Sequence, residues 1–499
     1  MILGRKTAKI LGLILLMGGL AACATAPATG KRIFTGGMSL ADEKNIGAQE
    51  HPKILEQFGG VYEDEKLVAY VNRIGQDLAR TSELPDLGFT FTILNSDQVN
   101  AFALPGGYVY VTRGLMALAG DEAELAGVIA HEIGHVTARH SAERYGGTFA
   151  AGIGAVLLDL GLGSGAANEV YGTLANLTLR GFSRQQEFEA DSLGVRYLSR
   201  TGYADEAMAS FLTRMRAHAA LEAKIRGKSP NRVDQFDLLA THPRPLERVR
   251  AAIAAARGNV PAGTKRGRVD YLASLDGMLF GDDPKEGFVR GQEFIHPELL
   301  FKFRVPPGFT LFNGRRAVIA RDNANSVIRF DIKRNYTGPM TRYLTAVWGK
   351  RLRLSGVEGI TVNGMQGATG VTRIRRSYGA ADLRLVAIRQ SVQRIYRFMF
   401  ITPADRTNRL DPELRRTTFS MKPITRREAG SVKPLRIRIR AVGVGDTVEK
   451  FADLMAYSDL REERFRVLNG LEPGQPLRAG QLVKTVIEQR PSRAPAAGS

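Results

Sequence analysis

His131-Glu132-Ile133-Gly134-His135 is the segment whose residue types and spacing could do chemistry. On an α-helix, positions i and i+4 share a face, so His131 and His135 can point two imidazoles at one ion. Imidazole nitrogen suits zinc, at about 2.0–2.1 Å. Glu132 falls beside the pair, where a carboxylate could take a proton from metal-activated water. A third ligand must come from elsewhere. One route is a continuation in which a glycine and then a third histidine stand at three-residue steps. Ala138 and Ser141 occupy those positions, so that route fails. On a continued helix His140, five residues past His135, turns away from the shared face and reads as structural or exposed. The other route is a carboxylate on a second helix, and Ser183-Arg184-Gln185-Gln186-Glu187-Phe188-Glu189-Ala190-Asp191 offers one. Glu187 and Asp191 are four apart and share a face. Glu187 could bind the metal while Asp191 accepts the free ring N–H of a ligand histidine, fixing its tautomer. Glu189 points roughly opposite and reads as exposed or structural.

These side chains need helices to hold them. Asp121 is a candidate N-cap with Glu124 three residues on, and Leu125, Val128 and Ile129 supply an apolar face. Ser183 can cap the second helix with Gln186 completing the box, and Gly202 can end it. Leu67 to Ala79 reads as an amphipathic helix through Leu67, Val71, Ile74 and Leu78. Phe89 to Leu94 and Gly107 to Val111 alternate as strands. Tyr108 to Val111 is read as an edge strand, to which a peptide could add by backbone hydrogen bonds. The glycine-rich apolar segment 149–180 suits either a flap that gates access or a packed hairpin.

The helix motif, the Ser183–Asp191 motif and Asn100-Ala101-Phe102-Ala103-Leu104-Pro105-Gly106-Gly107 together resemble the zinc metalloendopeptidases that include HtpX and the CAAX prenyl proteases. The resemblance covers roughly residues 40–255 and is nearest in style to the soluble periplasmic members. It implies one zinc per chain on His131, His135 and Glu187, with Glu132 as catalytic base and proteins or peptides of the envelope as substrates. The membrane-embedded members have spanning helices that this sequence lacks, so a prenylated substrate is not implied. Thr241-His242-Pro243, followed by Arg248, resembles the family's late His-Pro element. This implies a His242 near the metal, either stabilising the oxyanion or closing the open position as a lid. His51, His218 and His296 read as structural.

The composition of the 499 residues, 44% hydrophobic and 24% charged, is that of a multidomain globular protein. A single cysteine excludes a disulfide framework and a cysteine zinc finger. The net charge of +20 lies wholly in the second half: residues 1–260 hold 27 basic and 27 acidic side chains, residues 261–499 hold 43 and 23. Such asymmetry fits an anionic partner or a solvated basic surface. At the N-terminus, Arg5, Lys6 and Lys9 precede the apolar Ile10–Leu20 and then Leu20-Ala21-Ala22-Cys23. This resembles a bacterial lipoprotein signal, which implies a lipid anchor on Cys23. With Ala24 next, it implies the periplasmic face of the outer membrane. Export removes nucleic acid from the expected partners.

The expected architecture is multidomain: a signal peptide (1–22), a tether (23–39), and a mainly α zincin-type metallopeptidase domain with a small β-sheet (40–257). Next come a linker (258–269), an α+β domain without a catalytic constellation (270–430), a last module (436–488) and a disordered tail (489–499). In the α+β domain, 300–305, 318–321, 327–332, 383–390 and 394–401 read as strands, and Thr341 to Leu352 as one helix. In the last module, Val444-Gly445-Asp446-Thr447-Val448, Leu468-Asn469-Gly470 and Ala479-Gly480-Gln481 resemble a LysM module with βααβ order. That implies peptidoglycan binding. The competing reading of the whole is a non-catalytic, chaperone-like lipoprotein that binds peptidoglycan and outer-membrane proteins. An intact Glu132 favours the enzyme.

Overall fold

The computed structural model describes residues 23–147, 181–225, 250, 254 and 263–489. The chain forms two units, Met1–Phe280 with Arg436–Ile487, and Gly281–Leu435 with Glu488–Ser499. The signal peptide, segment 149–180, His242, Arg248 and all but the first residue of the tail lie outside the described residues.

The first unit opens with a hairpin, β1 (Cys23–Thr25) antiparallel to β2 (Arg32–Phe34). Ala26, Ile33 and Thr35 are buried, so the stretch read as a tether is folded onto the unit. Helix α1 (Leu40–Gln57) starts at a capping box of Ser39 and Asp42. Helix α2 (Glu65–Arg80) buries Leu67, Val71, Ile74 and Leu78, as their spacing predicts. Strands β3 (Thr90–Leu94), β4 (Ala101–Leu104) and β5 (Tyr108–Thr112) form a sheet in the order β3-β5-β4. Strand β5 runs parallel to β3 and antiparallel to β4, so Tyr108–Val111 is the central strand and not an edge. The turn at Gly106 and Gly107, both at positive φ, folds β4 back onto β5 and makes Ala101–Leu104 the edge instead.

Helix α3 (Arg113–Leu118) leads into α4 (Glu122–Thr137), and α5 (Arg184–Arg200), α6 (Ala207–Ile225), α7 (Arg268–Leu275) and β6 (Leu279–Phe280) complete this part. Every residue of α4 is buried. Helices α2, α5, α6 and α7 and strand β4 all pack against it. A helix enclosed on all sides must partner whatever polar groups it carries. Residues read as a linker are bound here too: Lys265 and Arg266 accept through their carbonyls from Ala204 and Ala123, at 3.0 and 3.1 Å.

The second unit holds β7 (Phe288–Arg290), β8 (Glu293–His296), β9 (Phe301–Arg304), β10 (Thr310–Gly314), β11 (Ala317–Arg321), β12 (Val327–Lys333), β13 (Ser355–Val362), β14 (Met365–Arg376), β15 (Gly379–Ser391) and β16 (Arg394–Pro403). After them come helix α8 (Thr407–Ser420), strand β17 (Lys422–Pro423) and helix α9 (Arg426–Ser431). An antiparallel sheet runs β10-β11-β12-β16-β15-β14-β13, and a smaller one β17-β9-β8-β7. The stretch read as one helix from 341 is a short turn, Met340–Arg342, continuing into a wider π-type turn, Tyr343–Trp348.

The chain then returns. Strand β18 (Leu435–Ala441), helices α10 (Val448–Ala452) and α11 (Arg461–Asn469) and strand β19 (Leu482–Glu488) succeed one another in strand–helix–helix–strand order. Strand β18 lies between β19 and β6, and Ile437 shares the core that surrounds α4. The buried Lys484 donates to the carbonyls of Ala117 and Ala119, at 2.6 and 2.8 Å, where α3 ends. A donor there satisfies carbonyls that the helix leaves open. The 436–487 segment is therefore part of the first unit and not a detached module.

Candidate metal centre

Helices α4 and α5 cross where each carries a glycine. A Cβ at Gly134 would lie 3.0 Å from the Ala190 carbonyl, and one at Gly194 would lie 3.1 Å from the His131 nitrogen. With no side chain at either position, the helices approach closely enough for residues of α5 to reach those of α4. Helix α5 starts as read from sequence, with a reciprocal capping box of Ser183 and Gln186. It ends at Arg200, with Gly202 at positive φ just beyond. At α4 the Asp121 side chain accepts from Glu124 N, while Glu124 accepts from Gly120 N rather than closing a reciprocal box.

The crossing brings His131, His135 and Glu187 together, each offering a ligand atom within 4.8 Å of the others. The two Nε2 atoms are 3.0 Å apart. Glu187 Oε2 lies 3.6 Å from His131 Nε2, and Oε1 lies 3.5 Å from His135 Nε2. His131 Nδ1 is 2.9 Å from Asp191 Oδ1. Glu132 is wholly buried on the same helix.

The donor set fits a divalent cation. Both Nε2 atoms face each other and the Glu187 carboxylate in a buried place. When those nitrogens carry no proton, such a convergence of acceptors is stabilised by a positive charge among them. Two imidazoles and one carboxylate match zinc in a site that keeps a position open.

Three neighbours escape a sequence reading. His140, expected to face away, is 1% exposed, and its Nδ1 sits 2.8 Å from His135 Nδ1. Glu189, expected to be exposed or structural, is half-buried and lies 3.5 Å from His140 Nε2. That contact is the chief reason its carboxyl is held below the usual range. Phe182, in the N′ position before the Ser183 cap, stacks on His135 at 4.0 Å. At the other end of α4, Glu122 accepts from Tyr203, Arg73 and Tyr70, and pairs with Lys265. Burial opposes ionisation there, but these donors together pull the carboxyl down to about 2. His51 contacts the Tyr110 hydroxyl at 2.7 Å. His296 accepts from Leu299 N and is pushed down to about 4, first by burial. Both are structural.

Among the described residues, no helix is long and apolar enough to cross a membrane. In sequence, the beta-barrel assembly-enhancing protease of Escherichia coli (strain K12) is 30% identical over 246 residues, 47% of this chain and 48% of that protein. A putative protease of the same description from Vibrio cholerae is 32% identical over 44% of this chain and 45% of its own. The mitochondrial metalloendopeptidase OMA1 of Schizosaccharomyces pombe is 29% identical over 45% of this chain and 64% of its own. The match thus spans about half the length of the bacterial relatives. Among solved structures, PsbP from Synechocystis is similar at 15% identity and a TM-score of 0.23, covering 28% of this chain and 98% of its own. Residues 65–256 match Peptidase family M48. The cluster of His131, His135 and Glu187 therefore lies within the segment that matches peptidase family M48.

Proposed function

We propose that the chain is a zinc-dependent endopeptidase of the bacterial cell envelope, hydrolysing peptide bonds of misfolded or stalled envelope proteins. The observation that carries this reading is the convergence of two imidazoles and a carboxylate from two crossing helices on one buried point. When bound there, zinc would supply Lewis acidity and bring the pKa of a water near 7. His131, His135 and Glu187 would hold the ion, and Asp191 would keep the His131 ring in the tautomer that presents Nε2. Glu132 would accept the proton from the attacking water and return it to the leaving amine. His242 would act either on the oxyanion or as a lid over the open position.

The names of the bacterial relatives support β-barrel proteins under assembly as one substrate group. The βααβ order of 436–488 supports a LysM-like role, tying the enzyme to peptidoglycan. The residues around Cys23 support a lipid anchor at the inner face of the outer membrane. The decisive experiment measures bound zinc and casein cleavage for wild type and Glu132→Gln. One zinc per chain is expected in both, with cleavage about 10²–10⁴-fold lower in the variant. Equal cleavage would remove Glu132 from the mechanism. Zinc without cleavage in the wild type would favour a scaffold.

A further inference from the structure

Glu43, Arg139, His140 and Glu189 form a line of side chains that the proposed reaction does not use. It begins where α4 stops. Arg139 lies just past the helix with a φ of 56°, a left-handed conformation that a residue with a Cβ adopts only under strain. It is held there by Glu43 Oε1 at 2.6 Å and by the Met38 carbonyl at 2.6 Å, and it is 5% exposed. The reversal at Arg139 breaks the helical course and carries His140 back under the metal helix. Its ring there meets the His135 ring nearly edge-on, at an interplanar angle of 70°.

The hydrogen bonds along this line admit one assignment of protons. For His135 to present Nε2 to a metal, that nitrogen carries no proton, so its proton is on Nδ1. The Nδ1–H then donates to His140 Nδ1, 2.8 Å away, which must be the bare nitrogen of its own ring. The His140 proton is therefore on Nε2, facing Glu189 Oε2 at 3.5 Å. No donor meets a donor and no acceptor meets an acceptor.

We propose that His140 is a positioning residue for the metal ligand His135, fixing its tautomer and ring orientation, with Glu189 fixing His140 in turn. This rests on the reading of the cluster as a metal site. The two ligand histidines are then supported differently. His131 leans directly on Asp191, whereas His135 reaches its carboxylate through an intervening imidazole. Helix α5 supplies all three acids. Glu187 and Asp191 lie on the face that meets α4, and Glu189, on another face, is brought into play because His140 reaches round to it.

The test is zinc affinity, measured by competition with a chelator, together with the visible spectrum of the cobalt-substituted protein. The His140→Phe variant keeps a ring of similar size but no acceptor, and is expected to bind zinc about ten- to a hundredfold more weakly, with an altered cobalt spectrum. In His140→Asn, an amide oxygen can stand near the place of Nδ1 and accept from His135, so affinity should recover most of the loss. Glu189→Gln should weaken binding by less than His140→Phe. Melting of the metal-free proteins should be alike throughout. A His140→Phe protein with wild-type zinc affinity would overturn the inference. So would equal losses in the Phe and Asn variants accompanied by equal losses of metal-free stability, which would mark His140 as packing alone. A wild type that binds no zinc would overturn the metal reading and this inference with it. Zinc-binding wild type with unaffected His140→Phe would overturn this inference alone.

Discussion

The two units bury different kinds of side chain. Around α4 the first unit encloses Glu122, Glu124, His131, Glu132, His135, Arg139, His140, Glu187, Asp191 and Lys484. The second is filled by aromatic rings, among them Phe294, Phe301, Phe303, Phe330, Phe398 and Phe400. Its one buried carboxylate among the described residues is Asp331, bound by Arg397 through two hydrogen bonds at 2.6 and 2.8 Å. Yet residues 281–435 carry 29 basic and 13 acidic side chains, so the more highly charged unit is the one with the apolar interior. Enclosing ionisable groups is costly unless each is partnered. A unit that encloses many is constrained by chemistry. A unit that leaves them in water is constrained by packing.

That contrast can be broken or sharpened by substitution. The largest effect is expected at Glu187→Ala, which removes a ligand. Zinc affinity measured by chelator competition should fall by more than the roughly 10–100-fold typical of an outer partner. Retention of wild-type affinity would show that the enclosed charges serve no ion. Next, Phe330→Ala should cost the second unit about 3–5 kcal/mol in denaturant unfolding while zinc stoichiometry stays as in the wild type. A loss of zinc in this variant would mean that the aromatic interior is not merely scaffold. Gly194→Ala puts a methyl against the His131 backbone and should cost about 1–3 kcal/mol, with a measurable drop in zinc affinity. An unchanged affinity would show that the helix crossing has slack.

The smallest effect is expected from Glu122. Its folded pKa of about 2 lies below the ordinary 4.5, so its contribution is full above pH 4.5 and is lost as pH falls towards 2. Glu122→Gln should flatten that part of the acid unfolding profile. At neutral pH it should cost on the order of 1 kcal/mol, because the amide oxygen still accepts from some of the donors. A variant with the wild-type acid profile would remove Glu122 as a source of acid sensitivity.

Features set by local periodicity were legible in the sequence. The histidine pair on α4, the capped start of α5 and the buried face of α2 each depend on residues within one helix. The carboxylate that joins the histidines in the cluster was legible because Glu187 and Asp191 sit one turn apart. His140 was not, because helical geometry was carried past Thr137, where the chain already leaves the helix through Arg139. The pairing of β5 was missed because strand order is set by partners distant in sequence. Strands β13 and β14 were missed because Gly356, Gly359, Gly367 and Gly370 interrupt them and the last arginines of β14 face water. The docking of β19 was missed because Lys484, in Leu-Val-Lys-Thr-Val, looks like any exposed lysine of a two-faced strand.

The return of the chain at β18 and β19 has a consequence for biogenesis. A polypeptide leaves the ribosome or a translocation channel from its N-terminus, and domains tend to fold as they emerge. Residues 281–435, with the aromatic core of the second unit, are made before β19 exists. The carbonyls at the end of α3 wait for a lysine that lies 367 residues downstream of Ala117. The unit carrying the candidate metal site thus receives its closing strand late. A nascent or truncated copy would lack its closing strand, which leaves the unit that holds His131, His135 and Glu187 incomplete until residues 482–488 have been made.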